Sequence, residues 1–281
     1  MPELPEVQTV VDNLNKLKIV GRRITGARVY WPRTIAHMSP AAFCKEIQGR
    51  IIQEMSRRGK YVVMGLSHGL TLLIHLRMTG HLNWEPRGRV RRKHEHVILM
   101  VGEKRELRFH DTRKFGRFVL TRNTQAVLGR LGPEPLADDF TAAGFLKMLH
   151  ARRRQIKPLL LDQTFIAGLG NIYVDEALWK ARIHPLRISR CLSKKEVTAL
   201  HRAIRLVLRT GLKNMGTTLG SGAGNFYSVA GRKGRNADEL NVFRRAGQEC
   251  PYCGTTIQRI LVGQRSSHVC PGCQKIKQTV S

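Results

Sequence analysis

The 281-residue sequence predicts an α+β protein in which an N-terminal helix and an antiparallel β-sandwich are followed by a helical region and a short terminal ribbon. Three observations carry this expectation. The first half holds short β-rich runs, separated by Gly, Pro and charged turns, without helical periodicity. After a turn-rich stretch the apolar residues recur at three- and four-residue spacing. Near the end, four cysteines fall in two C-x2-C pairs, Cys250/Cys253 and Cys270/Cys273.

The first helix is expected over 6–17, where Val7, Val10, Val11, Leu14 and Leu17 line one face. Pro5 and Glu6 suit its first turn, since proline's missing N–H costs nothing there and an acid favours the positive end of the helix dipole. Strands are expected over 23–31, 50–55, 61–66, 70–78, 96–101 and 106–120. Gly129, Gly132, Pro133, Glu134 and Pro135 mark a linker. Helices are then expected over 140–150, 156–161, 171–181 and 193–212. In the last, Ser193 and Glu196 form a capping box, and Val197, Leu200, Ile204, Val207 and Leu208 share a face. The segment 216–234, rich in Gly, Ser and Asn, reads as a long mobile loop. The expected division is a sandwich domain over 1–122, a linker over 123–139, a helical domain with its loop over 140–235, and a ribbon over 240–276.

Lys and Arg number 49 against 20 for Asp and Glu, a formal net charge of +29. Such an excess repels itself unless a polyanion neutralises it, and nucleic acid is the commonest one. A ribosome-associated protein, a membrane-surface binder and a thermophile's charged coat share this charge. No stretch approaches a transmembrane helix, and the acidic, proline-bearing N-terminus is unlike a signal peptide, so a cytoplasmic, nucleoid-associated protein without a membrane is expected. The four paired cysteines sit in tight Pro/Gly knuckles sixteen residues apart, a spacing that presents four thiolates to one tetrahedral zinc ion. A closed thiolate shell leaves no place for a catalytic water, so the zinc is expected to be structural. Cys44 and Cys191 stand alone and read as ordinary thiols.

The chain opens Met1-Pro2-Glu3-Leu4-Pro5-Glu6. Removal of Met1 would leave a secondary amine beside a carboxylate, and an α-amino group has a reference pKa of about 7.7–8.0, well under that of lysine. Such an amine attacking a sugar aldehyde carbon gives a cationic iminium, from which strand cleavage by elimination can follow. By themselves the same residues also read as a plain helix opening.

Six segments follow in order along the chain: Pro2-Glu3-Leu4-Pro5-Glu6-Val7, Gly59-Lys60-Tyr61, His75-Leu76-Arg77-Met78-Thr79-Gly80, Asp111-Thr112-Arg113-Lys114-Phe115-Gly116, Gly168 to Glu176, and Gln264-Arg265 in the ribbon. In this order, over essentially the whole length, they resemble the formamidopyrimidine-DNA glycosylases, within the wider group that includes endonuclease VIII. The resemblance implies a helix-two-turn-helix fold for the helical domain. It also implies a bifunctional glycosylase and abasic-site lyase of base excision repair, acting on double-stranded DNA with oxidised bases or abasic sites, as a monomer of bacterial type.

Residue by residue, the resemblance makes the Pro2 amine the nucleophile at C1′ and Glu3 the acid and base at the opening sugar. Lys60 would contact the lesion and its phosphate and hold the Pro2 amine neutral; alone it reads as a solvated strand-end lysine. Met78, Arg113 and Phe115 would fill the space left by the everted base, a thioether, a guanidinium and an apolar wedge; alone, Met78 and Phe115 read as core residues. Asn171, at a helix start after Gly168 and Gly170, would meet phosphate, and is equally a helix cap. Arg265 would grip the phosphates flanking the lesion and assist the second elimination. His94 and Arg154 fall near positions that touch the DNA backbone. Basic runs over 87–93 and 152–154 read as general attraction to phosphate.

In the loop, Leu219 to Tyr227 departs from the Ser-Asp-Tyr-type segment with which the family covers an everted purine. The expected activity is removal of 8-oxoguanine and formamidopyrimidines followed by β,δ-elimination. An endonuclease VIII-like preference for oxidised pyrimidines is the near alternative. A non-enzymatic zinc-ribbon nucleic-acid-binding protein would explain the charge and the cysteines but not Pro2, Glu3 and Lys60.

Overall fold

Helix α1 (Leu4–Lys16) buries Leu4, Val7, Val10, Val11 and Leu14, the face that its spacing predicts, and packs against strands β3 (Ile52–Arg58) and β4 (Tyr61–Leu66). Leu14→Ala would cost about 2–5 kcal/mol, as for other large apolar truncations in a core. The computed structural model describes residues 2–220, 226–229 and 231–276. The chain forms two compact units: Met1–Arg130 with Gly211–Ala237, and Leu131–Thr210 with Asp238–Ser281.

The first unit holds two sheets. One orders β2 (Ile35–Ala36), β9 (Arg117–Thr121), β5 (Leu70–His75), β4 and β3; the other orders β1 (Ile24–Val29), β7 (Glu95–Val101), β8 (Arg105–His110) and β6 (His81–Pro86). Every pairing is antiparallel except β2 with β9. One continuous core joins α1 to the inner faces, with Ile52, Val62, Leu72, Val97, Leu107, Phe109 and Phe118 among its buried members.

The first unit differs from the sequence expectation at several points. The run 106–120 is two strands, because the chain turns at Asp111, whose carboxylate accepts the amides of Arg113 at 3.2 Å and Gly116 at 2.7 Å. Strand β6 carries Asn83, Glu85 and Pro86, which hide a strand pattern; it lies at a sheet edge, where a proline removes no needed ladder bond. Helix α2 (Pro40–Ile47) lies between two strands, capped by Ser39, whose hydroxyl accepts the Ala42 amide at 3.2 Å.

The segment expected as a mobile loop is tied down in its described residues. Thr218 donates its hydroxyl to Phe226 O at 2.6 Å and accepts the Gly234 amide at 2.8 Å, while Phe226 and Val229 join the sandwich core. Within the divergent segment Leu219 to Tyr227, Ser221 to Asn225 lie outside the described residues.

Helix α3 (Gln125–Leu128) belongs to the first unit; the second carries α4 (Ala142–His150), α5 (Ile156–Leu161), α6 (Asn171–Lys180) and most of α7 (Lys194–Lys213), then a hairpin of β10 (Gln258–Val262) and β11 (Arg265–Val269). The capping box forms as its spacing predicts: Ser193 N donates to Glu196 Oε2 at 2.8 Å and Glu196 N to Ser193 Oγ at 3.2 Å. Adjacent acids on α6 anchor different stretches of the ribbon. Glu176 accepts the amides of Asn241, Val242 and Phe243, each at 2.9 Å. Asp175 accepts Lys157 Nζ at 2.5 Å and the His268 amide at 2.9 Å, and Lys157 also donates to Ser266 O at 2.9 Å.

Candidate active site and nucleic-acid interface

Pro2 and Glu3 are buried at the start of α1, with Glu3 2% exposed. Glu3 is the N-cap residue of a capping box: its side chain accepts the Glu6 amide, and its own N–H donates to Glu6 Oε2 at 2.8 Å. This reciprocal pair fixes how the chain enters the helix, and so where Pro2 stands. The other Glu6 oxygen accepts the Thr217 amide at 2.7 Å, and Gly216, at φ +82°, leaves room where a Cβ would come within 2.9 Å of Glu6 Cγ.

Lys60 is 5% exposed, unlike a solvated strand-end lysine. It sits in the tight turn between β3 and β4, where Gly59 takes φ +55°. Arg57 joins this turn to α1, donating from Nε to Gln8 Oε1 at 2.9 Å and from Nη1 to Gly59 O at 3.0 Å. Beside it His75 stacks edge-on against Tyr61 at 4.7 Å. Burial, with the charges of Arg77 and Lys60 adding to it, pushes the His75 pKa down to about 3, so its ring is neutral; Nδ1 accepts the Arg77 amide at 3.0 Å.

Met78 is 37% exposed and Phe115 46%, although both belong to β-rich stretches whose neighbours are core. Each stands on a turn that leaves the sandwich, one after β5 and one before β9. The exposed Arg113 guanidinium lies over the Phe115 ring at 4.8 Å. His94 lies just before β7 with a left-handed backbone, φ +68°, and its carbonyl accepts the Asp111 amide at 3.0 Å.

In the second unit Asn171 opens α6 after Gly168, at φ +89°, and Gly170. Its Nδ2 donates to Ser266 O at 2.9 Å, and its Oδ1 is buried without a hydrogen-bond partner. Ser266 follows Arg265, which stands exposed at the start of β11 beyond the hairpin turn. Arg154 is half exposed and pairs with Asp162 at 3.0 Å.

The four cysteine sulfurs lie within 4.8 Å of one another, with Cys250 to Cys273 at 3.8 Å and Cys253 to Cys270 at 3.4 Å. A tetrahedron with Zn–S bonds of about 2.3 Å has edges of about 3.8 Å, so the spacing fits one zinc ion. The all-sulfur donor set fits it as well, and Trp179 Nε1 donates to Cys250 Sγ at 3.4 Å, the kind of outer contact that holds a metal ligand in place.

Sequence reasoning overlooked four buried groups that shape these sites: Glu6, Asp111, Lys157 and Asp175. Each is an ionisable side chain that the fold buries, at 2% exposure or less.

Residues 1–118 match the formamidopyrimidine-DNA glycosylase N-terminal domain, 131–227 its helix-two-turn-helix domain, and 247–276 the zinc finger found in this glycosylase and in IleRS. Three modules in this order define a zinc-ribbon DNA glycosylase. A formamidopyrimidine-DNA glycosylase of Protochlamydia amoebophila is 44% identical over 98% of this chain and 100% of its own, and one of Herpetosiphon aurantiacus 46% over the same shares. The structure superposes with a TM-score of 0.90, at 37% identity and over 98% of this chain and 100% of the other, on a Lactococcus lactis FPG variant in complex with Fapy-dG-containing DNA. A complex of the Lactococcus lactis Fpg with abasic-site DNA gives 0.90 at 36% identity, over 97% and 99% of the two chains. The chain belongs to the formamidopyrimidine-DNA glycosylase family. Among the described residues no helix is long and apolar enough to cross a membrane.

Proposed function

We propose that the protein removes oxidised purines from double-stranded DNA and then cleaves the strand by β,δ-elimination, with Pro2 as nucleophile. The carrying observation is the buried Pro2-Glu3 start, held by the Glu3–Glu6 capping box beside the Lys60 turn. In this reading loss of Met1, which lies outside the described residues, exposes the Pro2 secondary amine. Its lone pair attacks C1′, the bond to the damaged base breaks, and the base leaves with a proton. Glu3 protonates the ring oxygen as the sugar opens, leaving an iminium on Pro2 whose electron withdrawal acidifies C2′. Proton removal there expels the 3′ phosphate, and a second elimination expels the 5′ phosphate.

Lys60 contributes positive charge that keeps the amine unprotonated and meets the lesion's phosphate. Met78, Arg113 and Phe115 fill the vacated space; their exposure on turns outside the core supports this role. His94, Arg154, Asn171 and Arg265 contact backbone phosphates, with Asn171 adding the backbone amides and dipole of a helix start. Zinc on Cys250, Cys253, Cys270 and Cys273 supplies cross-linking of the ribbon that carries Arg265. The relatives are bacterial enzymes whose names and complexes point to DNA lesions, and the cytoplasm, where bacterial DNA lies, is the compartment we assign.

Borohydride trapping on duplexes carrying 8-oxoguanine, an oxidised pyrimidine or an abasic site tests the reading. The expected product is a covalent adduct on the N-terminal peptide, formed faster with 8-oxoguanine than with the pyrimidine. An adduct on a lysine would overturn the role of Pro2, and faster trapping on the pyrimidine would overturn the substrate class.

A further inference from the structure

Two turns carry the exposed residues assigned to space filling, and one buried carboxylate joins them. Asp111 is 0% exposed. Its Oδ1 accepts the hydroxyl of Thr79, the residue after Met78, and the amide of Arg113 at 3.2 Å. Its Oδ2 accepts the amide of Gly116, the residue after Phe115, at 2.7 Å. Thr79 Oγ1 in turn accepts the Arg113 amide at 3.1 Å. Both ends of Asp111 are tied to β7 and its approach, since its amide donates to His94 O at 3.0 Å and its carbonyl meets His96 Nε2 at 2.8 Å.

The two turns also share a geometry. The residue before each exposed apolar side chain adopts a left-handed backbone without being glycine: Arg77 at φ +56° before Met78, and Lys114 at φ +59° before Phe115. Non-glycine residues enter this region at a cost and stay there when neighbouring contacts impose it. Beneath the turns both chains press on one ring. A Cβ on Gly80 would come within 2.8 Å of Phe109 Cε2, and one on Gly116 within 2.2 Å of Phe109 Cζ. Phe109 supplies the common floor and Asp111 the common tie.

We propose that Thr79 and Asp111 form a latch joining the two turns, so that Met78 and the Arg113–Phe115 tip enter a duplex as one rigid unit. Thr79 and Asp111 are positioning residues, acting through side chains they do not themselves replace. The proposal rests on the space-filling reading of Met78, Arg113 and Phe115. Rigid joining matters physically because the vacated space closes as soon as neighbouring bases restack. Two side chains arriving together meet the ordering cost once, while independent arrivals meet it twice.

The test uses full-length protein carrying Thr79→Val, which keeps the shape and removes the hydroxyl, and Thr79→Ser, which restores it. Single-turnover rates are measured on an 8-oxoguanine duplex and on the same duplex with a preformed abasic site. Thermal melting monitors folding, and a 2-aminopurine beside the lesion reports filling of the space. Thr79→Val is expected to slow duplex excision and the 2-aminopurine signal about tenfold, the effect of one hydrogen bond to a carboxylate. Abasic-site cleavage should change less than about twofold, and Thr79→Ser should recover the native rate. In the native background Met78→Ala and Phe115→Ala should be non-additive, and Thr79→Val should make them multiply. Equal slowing on both substrates, unchanged coupling, or failure of Thr79→Ser to rescue would overturn the latch. If Met78→Ala and Phe115→Ala both excise at the native rate, the space-filling reading fails and takes the latch with it. If they are slow while Thr79→Val is without effect, the latch alone fails.

Discussion

The carboxylate of Glu6 accepts the backbone amide of Thr217 at 2.7 Å, while its other oxygen accepts the amide of Glu3 at 2.8 Å. One buried side chain thus joins the residue after Pro2 to Thr217, across more than two hundred residues of sequence. Glu6→Ala leaves two buried amides without acceptors, at a cost of about 1–3 kcal/mol each. We expect a lower melting temperature and faster hydrogen exchange at Thr217 and Glu3. Unchanged exchange at Thr217 would mean that contacts other than Glu6, such as those of Thr218 and Asn236, hold the loop stem.

The N-terminal amine is the second point of test. Protein that keeps Met1 should bind lesion DNA with native affinity yet give no borohydride-trapped adduct, because the Pro2 nitrogen is then an amide. Pro2→Gly should retain residual trapping through a primary amine. Intact-mass measurement of the protein beside the trapping assay decides both.

Zinc removal should act on the ribbon first. Chelation or Cys250→Ser deprives the ribbon of much of its folding free energy, so β10 and β11 should unfold. If Arg265 meets phosphate as proposed, DNA affinity should fall, with a reduced salt dependence. Circular dichroism should retain the sandwich signal. Native affinity in a protein shown by metal analysis to lack zinc would contradict the prediction.

Phe115→Ala should slow excision from a lesion duplex more than cleavage at a preformed abasic site, since the latter needs no base stripped of its stacking partners. The single-turnover ratio of the two substrates is the measurement. Because Phe115 is half exposed, its truncation should leave the melting temperature almost unchanged.

Acid should destabilise the sandwich through His75. Its pKa is lowered to about 3 in the fold by burial, with Arg77 and Lys60 adding, against an ordinary value of about 6.5. The unfolded chain therefore binds the extra proton first. His75 contributes fully above pH about 6.5, and its contribution declines as pH falls towards 3, with a slope of at most about 1.4 kcal/mol per pH unit. His110, lowered to about 4 by burial and by the neighbouring His81 and His94, adds a smaller fall from the same starting pH. Chemical denaturation between pH 7 and 4 should show this slope, and His75→Gln should flatten it.

What the sequence determined by itself was local or covalent in origin. The apolar stripe of α1, the Ser193–Glu196 box and the cysteine spacing each act over a few residues, and each appears in the fold where its pattern lies. Tertiary structure decided which side of the chain each motif faces. Met78 and Phe115 carry the apolar pattern of a core, and only the turns made by Asp111 and Thr79 send them outwards. Lys60 looks like a surface lysine, yet it is buried in the β3–β4 turn that Arg57 ties to α1. Glu6, Lys157 and Asp175 look like ordinary charges on helices, yet burial commits each to partners distant in sequence. A buried charge must find its complement wherever folding brings one, and no pattern of neighbours along the chain encodes that distance.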